Sequence, residues 1–394
     1  DPVVAKHRLW IEHARISKPY LLTEEVEGAL EKRDPFGPNS WTEFFDELES
    51  DLEPEFRGKK KTLNELVDIL NGSKNDRERA EALRVFNDTL KGPFAKYSAQ
   101  TLYMVAGSGS LENLERNFRH PMEERNKDNQ VPEAVVDALH RAVIDVAAPL
   151  ARRYYRLKAA HLGWEPLKWS DRNAPLPLTD TTLVSFDQAI DMVLAAYESF
   201  SPTLAGIIRE SIRAKHVDAP AIKGKRHGAF NYSIVLPGNK SVSFTFLEYL
   251  GSNKDVMTLA HELGHGVHGI LAGQSQGALM SSVPMAYAET ASTFGEMTTF
   301  NFLRQRLAAE GNRKSLLALL MMKIEYTINT MVRQISFSNF ERRLHGMDAS
   351  YQKWETPKKL SVEELNDIWL QTTKEIYGQD GDVFTYENTE YLWS

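Results

Sequence analysis

Residues 258–268 run Thr258-Leu-Ala-His-Glu-Leu-Gly-His-Gly-Val-His268, and only a helix sorts them onto distinct faces. Val256, Leu259, Leu263, Val267 and Ile270 recur every three or four positions, the period of an amphipathic helix. Inside it, His261-Glu262-Leu263-Gly264-His265 matches H-E-x-x-H. Two histidines four apart on a helix are separated by about 6 Å of rise and about 40° of rotation, so both imidazoles reach one ion. Glu262, next to the first of them, is placed to take a proton from water at that ion.

A third ligand must come from farther along. A histidine six positions after His265 would make a metzincin site, but residue 271 is Leu271. Thermolysin-like spacing asks for a glutamate near 284 or 285, where Pro284 and Met285 stand. No acid occurs from 266 to 288, and the first is Glu289, in Ala286-Tyr-Ala-Glu-Thr-Ala-Ser-Thr-Phe-Gly-Glu296 after Pro284. The expected site is therefore His261, His265 and Glu289, with a fourth position open, as a catalytic zinc needs. Glu296 follows two helical turns later on the same face, either orienting a ligand imidazole or standing as a solvated acid. His268 shares the face of His261 and is a substrate or outer-sphere candidate, or a packing histidine. His227, in Gly224-Lys-Arg-His-Gly228, is the remaining candidate.

Upstream, Ala229 to Glu248 departs from helical period. Two β-branched and aromatic runs join at Pro237-Gly238-Asn239-Lys240, the pattern of a strand pair. Ser241 to Glu248 is expected to be the edge strand beside the motif, on which an extended peptide could lie; the other possibility is an ordinary buried hairpin.

Elsewhere helical period prevails, over Val135 to Leu162, Phe186 to Phe200, Ser315 to His345 and Val362 to Tyr377. Roughly two thirds helix follows from these windows. Thr23 before Glu24 and Glu25, and Ser361 before Glu363 and Glu364, are helix-start signals. Connections are expected at Arg33 to Ser40, Gly107 to Ser110 and Trp164 to Thr179, with Lys59-Lys60-Lys61 a solvated charge run. The fold class is mainly α, with a small β-sheet beside the motif helix.

Composition narrows the chemistry further. The 394 residues carry 47 Lys and Arg against 54 Asp and Glu, a net charge of −7 with both signs mixed, which argues against a nucleic-acid partner. With no cysteine, thiolate catalysis and thiolate metal sites are excluded, leaving His, Asp and Glu as ligands. No stretch is long and apolar enough for a membrane span, and no targeting segment is evident, so a soluble, cytoplasmic protein is expected. A phosphate-loop pattern is absent.

These motifs resemble those of the thimet oligopeptidase and oligoendopeptidase family of zinc metallopeptidases, oligoendopeptidase F in particular. The likeness rests on Thr258 to His268 together with Ala288-Glu-Thr-Ala-Ser-Thr-Phe-Gly-Glu296. Ser17-Lys-Pro-Tyr-Leu-Leu-Thr-Glu-Glu25 and Lys158-Ala-Ala-His-Leu-Gly163 extend it over nearly the whole chain. The resemblance implies a gluzincin-type helical fold around a deep channel that admits short, unstructured peptides. It implies one Zn²⁺ per chain on His261, His265 and Glu289, with Glu262 as general base. It also implies an N-terminal helical region over 1–95 and a catalytic region over 96–394. Members of that family carry further N-terminal helices, and continue past a segment like Glu390-Tyr-Leu-Trp-Ser394 into a His- and Tyr-rich stretch that contacts substrate. The expectation is thus a chain trimmed at both ends. An endopeptidase for oligopeptides is the leading function; the alternatives are a peptide-binding or incomplete catalytic fragment, and a carboxypeptidase or dipeptidase on the same scaffold. Oligomeric state and cleavage specificity are not legible at this level.

Overall fold

A computed structural model describes every residue except 1–3, 6, 177–182, 223, 224, 226, 227, 349 and 352. Helix accounts for 66% of the chain. Among the described residues no helix is long and apolar enough to cross a membrane.

Two units emerge, interleaved in sequence. The first comprises 1–17, 127–131 and 178–320. Its helix Phe186–Phe200 starts with a capping box, the Ser185 hydroxyl accepting from Gln188 N–H and the Gln188 side chain accepting from Ser185 N–H. A three-stranded sheet follows, with Lys240–Tyr249 in the middle. Phe230–Leu236 pairs with it antiparallel, from Phe230 opposite Phe246 to Leu236 opposite Lys240. Val217–Pro220 pairs parallel on the other side. The turn between the antiparallel strands is Pro237-Gly238-Asn239, and Gly238 and Asn239 both take positive φ, 81° and 58°. The expected edge strand Ser241 to Glu248 is therefore the central strand. The parallel neighbour Val217–Pro220, a four-residue strand with little apolar alternation to announce it, occupies the side expected to be free.

Against this sheet lies the motif helix, Asn253–Gln276, opened by a Ser252–Asp255 capping box. Val256, Leu259, Leu263 and Val267 are buried as the periodicity requires. Its glycines set the distance to the sheet. A Cβ on Gly269 would stand 2.1 Å from Ser233 Oγ, and one on Gly273 would stand 2.1 Å from Ser241 Oγ. The next helix, Met285–Ala309, packs along the motif helix. Its start is pinned by Asn129, whose Oδ1 accepts from Ala286 N–H at 2.9 Å, and by Tyr287, whose hydroxyl donates to the Gln130 carbonyl at 3.1 Å.

The second unit comprises 18–126, 132–177 and 321–394. Its core gathers Tyr155, Leu167, Ile376, Tyr377 and Phe384, all nearly inaccessible. Val362–Tyr377 begins at Ser361 in a capping box with Glu364. The long window from Val135 is helical but contains one π-turn, Val143–Ala147, and Ile328–Arg333 is a second. Gly107 to Ser110, expected to be a connection, lies inside the continuous helix Pro93–Glu115. Two interior glycines cost that helix about 2 kcal/mol in propensity; burial of Phe94, Ala95, Ala99 and Ala106 on its packed face offsets it. Arg33 to Ser40 likewise forms a short 3-10 turn and the start of the helix Pro38–Ser50. Lys59 and Lys60 are exposed as expected, on a two-residue strand.

This unit buries several charges. The Arg79 guanidinium donates twice to Asp171 Oδ1, at 2.9 and 2.7 Å, with both residues 1% exposed. Lys158, fully buried, donates to the Glu325 carboxylate at 3.1 Å and to the Arg172 carbonyl at 2.8 Å. His140 is buried as well, beside Asn339 and Ser338. Burial, reinforced by the Arg342 charge and only partly opposed by Asn339 and Asp137, lowers its imidazole to about 4. The unfolded chain therefore binds a proton here that the folded chain does not, and stability falls as pH drops from about 6.5 to about 4, by about 3 kcal/mol in all. Urea unfolding of wild type and His140→Gln at pH 7.5 and 4.5 checks this. The loss on acidification should shrink by roughly that amount in the variant; an identical loss in both would refute it.

Candidate active site

The motif helix presents His261 and His265 on one face, and the next helix brings Glu289 to them. His261 Nε2 lies 3.2 Å, and His265 Nε2 3.5 Å, from Glu289 Oε2. One donor atom from each of the three residues falls within 4.8 Å of the others. Two ligands bound tetrahedrally at about 2.1 Å stand about 3.4 Å apart, so these spacings would admit one ion among the three residues. The imidazole rings are inclined at 83° with centroids 4.9 Å apart, converging rather than stacked.

Two of the three side chains are held from behind. Glu296, 3% exposed, places Oε2 3.6 Å from His261 Nδ1, on the far side of the ring from Glu289. Ser292, fully buried, donates to Glu289 Oε2 at 2.7 Å. Burial by itself lowers the His261 imidazolium, but the carboxylates of Glu296, Glu262 and Glu289 outweigh it and raise the group above the ordinary histidine range. Burial lowers His265. Such a concentration of carboxylates around imidazoles is the charge pattern of a cation site.

Glu262 is 6% exposed, and burial pushes its carboxyl up to about 7. Its Oε2 is buried without a hydrogen-bond partner. An orphaned carboxylate oxygen beside three converging ligands fits a metal with a water molecule to be deprotonated there. All four residues line a cleft of about 540 Å³, whose other walls include Phe230–Val235 and Ser281–Val283. Among the described residues the strand Phe230–Leu236 has a sheet neighbour on one side only, and Phe230–Val235 line this cleft.

His268 lines the same cleft but is not among the three converging ligands. His227 falls outside the described residues. Sequence reasoning missed what holds the two helices at this distance. A Cβ on Gly264 would stand 2.7 Å from the Ala291 carbonyl oxygen and 2.9 Å from Ser292 Cα. A Cβ on Gly295 would meet Tyr197 Oη, and the Tyr197 hydroxyl donates to the Ala260 carbonyl at 3.0 Å. Gly264 inside the motif was the available signal: a glycine there in mid-helix points to close backbone approach.

Residues 70–391 match peptidase family M3, and residues 1–53 match the family region described as oligopeptidase F. The chain is 25% identical over 397 aligned positions to group B oligopeptidase PepB of Streptococcus agalactiae, covering 98% of this chain and 63% of that protein. It is 26% identical over 313 positions to oligopeptidase PepF of Bacillus subtilis, covering 79% and 44%. It therefore spans less than two thirds of the length of these relatives. A solved structure from Chlamydophila abortus, assigned as a peptidase, superposes with a TM-score of 0.81 at 19% identity, over 100% of this chain and 64% of that one; at that identity the likeness is one of fold. With the M3 match covering most of its length, the chain belongs to peptidase family M3.

Proposed function

We propose that the protein is a zinc-dependent endopeptidase of short peptides. The observation that carries it is the convergence of His261, His265 and Glu289 around one point, with the unpartnered Glu262 carboxylate beside them. One zinc per chain, held by those three residues, would supply a Lewis acid that polarises the scissile carbonyl and acidifies water. The chain's own groups do the rest. Glu262 accepts the proton of the attacking water and passes it to the departing amine nitrogen. Glu296 fixes the orientation of the His261 ring, and Ser292 that of the Glu289 carboxylate. The free edge of Phe230–Leu236 offers backbone groups to which an extended substrate adds as a further strand, giving a role to peptide backbone before any side chain is selected. The N-terminal region 1–95 and the catalytic region 96–394 are the proposed division of labour, and a cytoplasmic setting is part of the same proposal.

An internally quenched peptide of about ten residues tests it. Cleavage in an active preparation should stop on chelation and return with zinc, and cut positions on peptides of graded length should fall inside the chain. Release of single terminal residues instead would favour a carboxypeptidase or dipeptidase. The supporting residues give a second expectation. Glu296→Gln and Ser292→Ala should each weaken zinc binding by about 10- to 100-fold, measured by competition with a chromogenic chelator. Unchanged affinity in both variants would remove them from the site.

A further inference from the structure

The second unit contains a cavity of about 230 Å³ with no counterpart in the chemistry above. Its lining combines Leu70, Leu83 and Phe86 with Ser170, Arg172, Arg333 and Tyr377. Arg172 is 7% exposed, and its Nη1 has no hydrogen-bond partner. Ser170 Oγ, at 4% exposure, is equally without a partner, and the Tyr377 hydroxyl, at 1% exposure, has only the Arg172 guanidinium beside it. Each arginine stacks on an aromatic ring, Arg172 over Trp169 and Arg333 over Phe337, both at 4.9 Å. That contact fixes a guanidinium but leaves its charge unbalanced.

The charges around this cavity do not cancel. Arg79, Lys158, Arg172 and Arg333 lie in one neighbourhood with Asp171 and Glu325, and those two carboxylates are engaged by Arg79 and Lys158. Among the described residues no carboxylate pairs with Arg172 or Arg333. Burial and the like charge of Arg172 push Arg333 down to about 10. Folded proteins rarely leave two neighbouring, largely desolvated guanidiniums without a counter-charge, because each loses hydration for nothing in return. A planar carboxylate answers two such forks with short, charge-assisted bonds. The apolar part of the lining selects what that carboxylate is attached to.

We propose that this cavity is a second ligand site, which takes a carboxylate carried on a small apolar body, with Arg172 and Arg333 as its counter-ions and the Tyr377 and Ser170 hydroxyls as further donors. Two sources supply that chemistry, a free organic acid and the C-terminal carboxylate of a short apolar peptide. The site is independent of the metal-ligand cluster and stands whether or not that cluster holds zinc.

Calorimetric titration with hexanoate, N-acetyl-leucine and N-acetyl-leucinamide tests it. Saturable binding of both acids, with the neutral amide binding at least tenfold more weakly, supports the site and a free-acid source. Binding of N-acetyl-leucine without hexanoate supports it with a peptide terminus as the source. Arg333→Met should weaken acid binding at least tenfold and abolish the ligand-induced rise in melting temperature. In ligand-free buffer the same variant should melt at or above the wild-type temperature, since it removes an unbalanced charge. A purely structural Arg333 would do the reverse, lowering the melting temperature and leaving the ligand-induced shift intact. Should Arg172→Met fail to fold, Arg333, which is less deeply buried, still decides the matter. Equal binding of acid and amide, no binding of either acid, or acid binding unchanged in Arg333→Met would overturn the proposal.

Discussion

Replacing Glu262 with Gln is expected to lower peptide hydrolysis by about 10²- to 10⁴-fold while leaving the zinc content of the chain unchanged. The substitution preserves volume at a position that is 6% exposed, so packing of the motif helix on the sheet should survive. What it removes is the capacity to accept a proton. His261 and His265, one residue before and three after, retain their Nε2 atoms and their spacing to Glu289. Loss of rate and retention of metal must therefore appear together. Steady-state kinetics on a quenched peptide, with metal content measured on the same sample, reads both. Hydrolysis within tenfold of wild type would remove Glu262 from its role, and loss of metal would make it a structural part of the ion site.

A second large effect is expected at a residue with no functional group. Gly264→Val should destabilise the protein by about 3 kcal/mol or more and abolish stoichiometric zinc binding. The reason is backbone contact: the added Cβ meets the Ala291 carbonyl and Ser292 Cα, neither of which is the end of a flexible side chain. The helices must move apart, and Glu289, two residues before Ala291, moves with its helix. Gly206→Ala, in the helix Pro202–Arg213 with nothing within 4 Å of the new Cβ, is the control and should be neutral or stabilising by up to about 1 kcal/mol. Denaturant unfolding and metal content of both variants check the pair. Normal zinc binding in Gly264→Val would show that the two helices are not held at contact distance by this glycine.

Elements governed by local chemistry were legible from the residues alone. Phe186–Phe200 runs between the limits set by its apolar period, and Val362–Tyr377 between those set by its period and the Ser361 start signal. The Pro237-Gly238-Asn239 turn sits where its composition puts it, and the spacing of His261, His265 and Glu289 survives folding as proximity. What escaped depends on partners distant in sequence. Nothing near Arg79 announces Asp171, 92 positions away, nor anything near Lys158 announces Glu325. The central place of Lys240–Tyr249 depends on a short parallel strand with no pattern of its own. The Gly107 to Ser110 segment reads as a break because glycine and serine favour turns, and tertiary burial overrides that preference. Ser292 is ordinary in sequence, and only packing turns its hydroxyl onto the Glu289 carboxylate.

His261, His265 and Glu289 are proposed together to hold one catalytic metal ion. The most direct test is elemental analysis of the purified chain alongside His265→Ala and Glu289→Ala, each checked for native helix content by circular dichroism. About one zinc per wild-type chain is expected, and less than about a tenth of that in either folded variant. Stoichiometric zinc retained in both variants, or none in the zinc-supplemented wild type, would contradict the proposal.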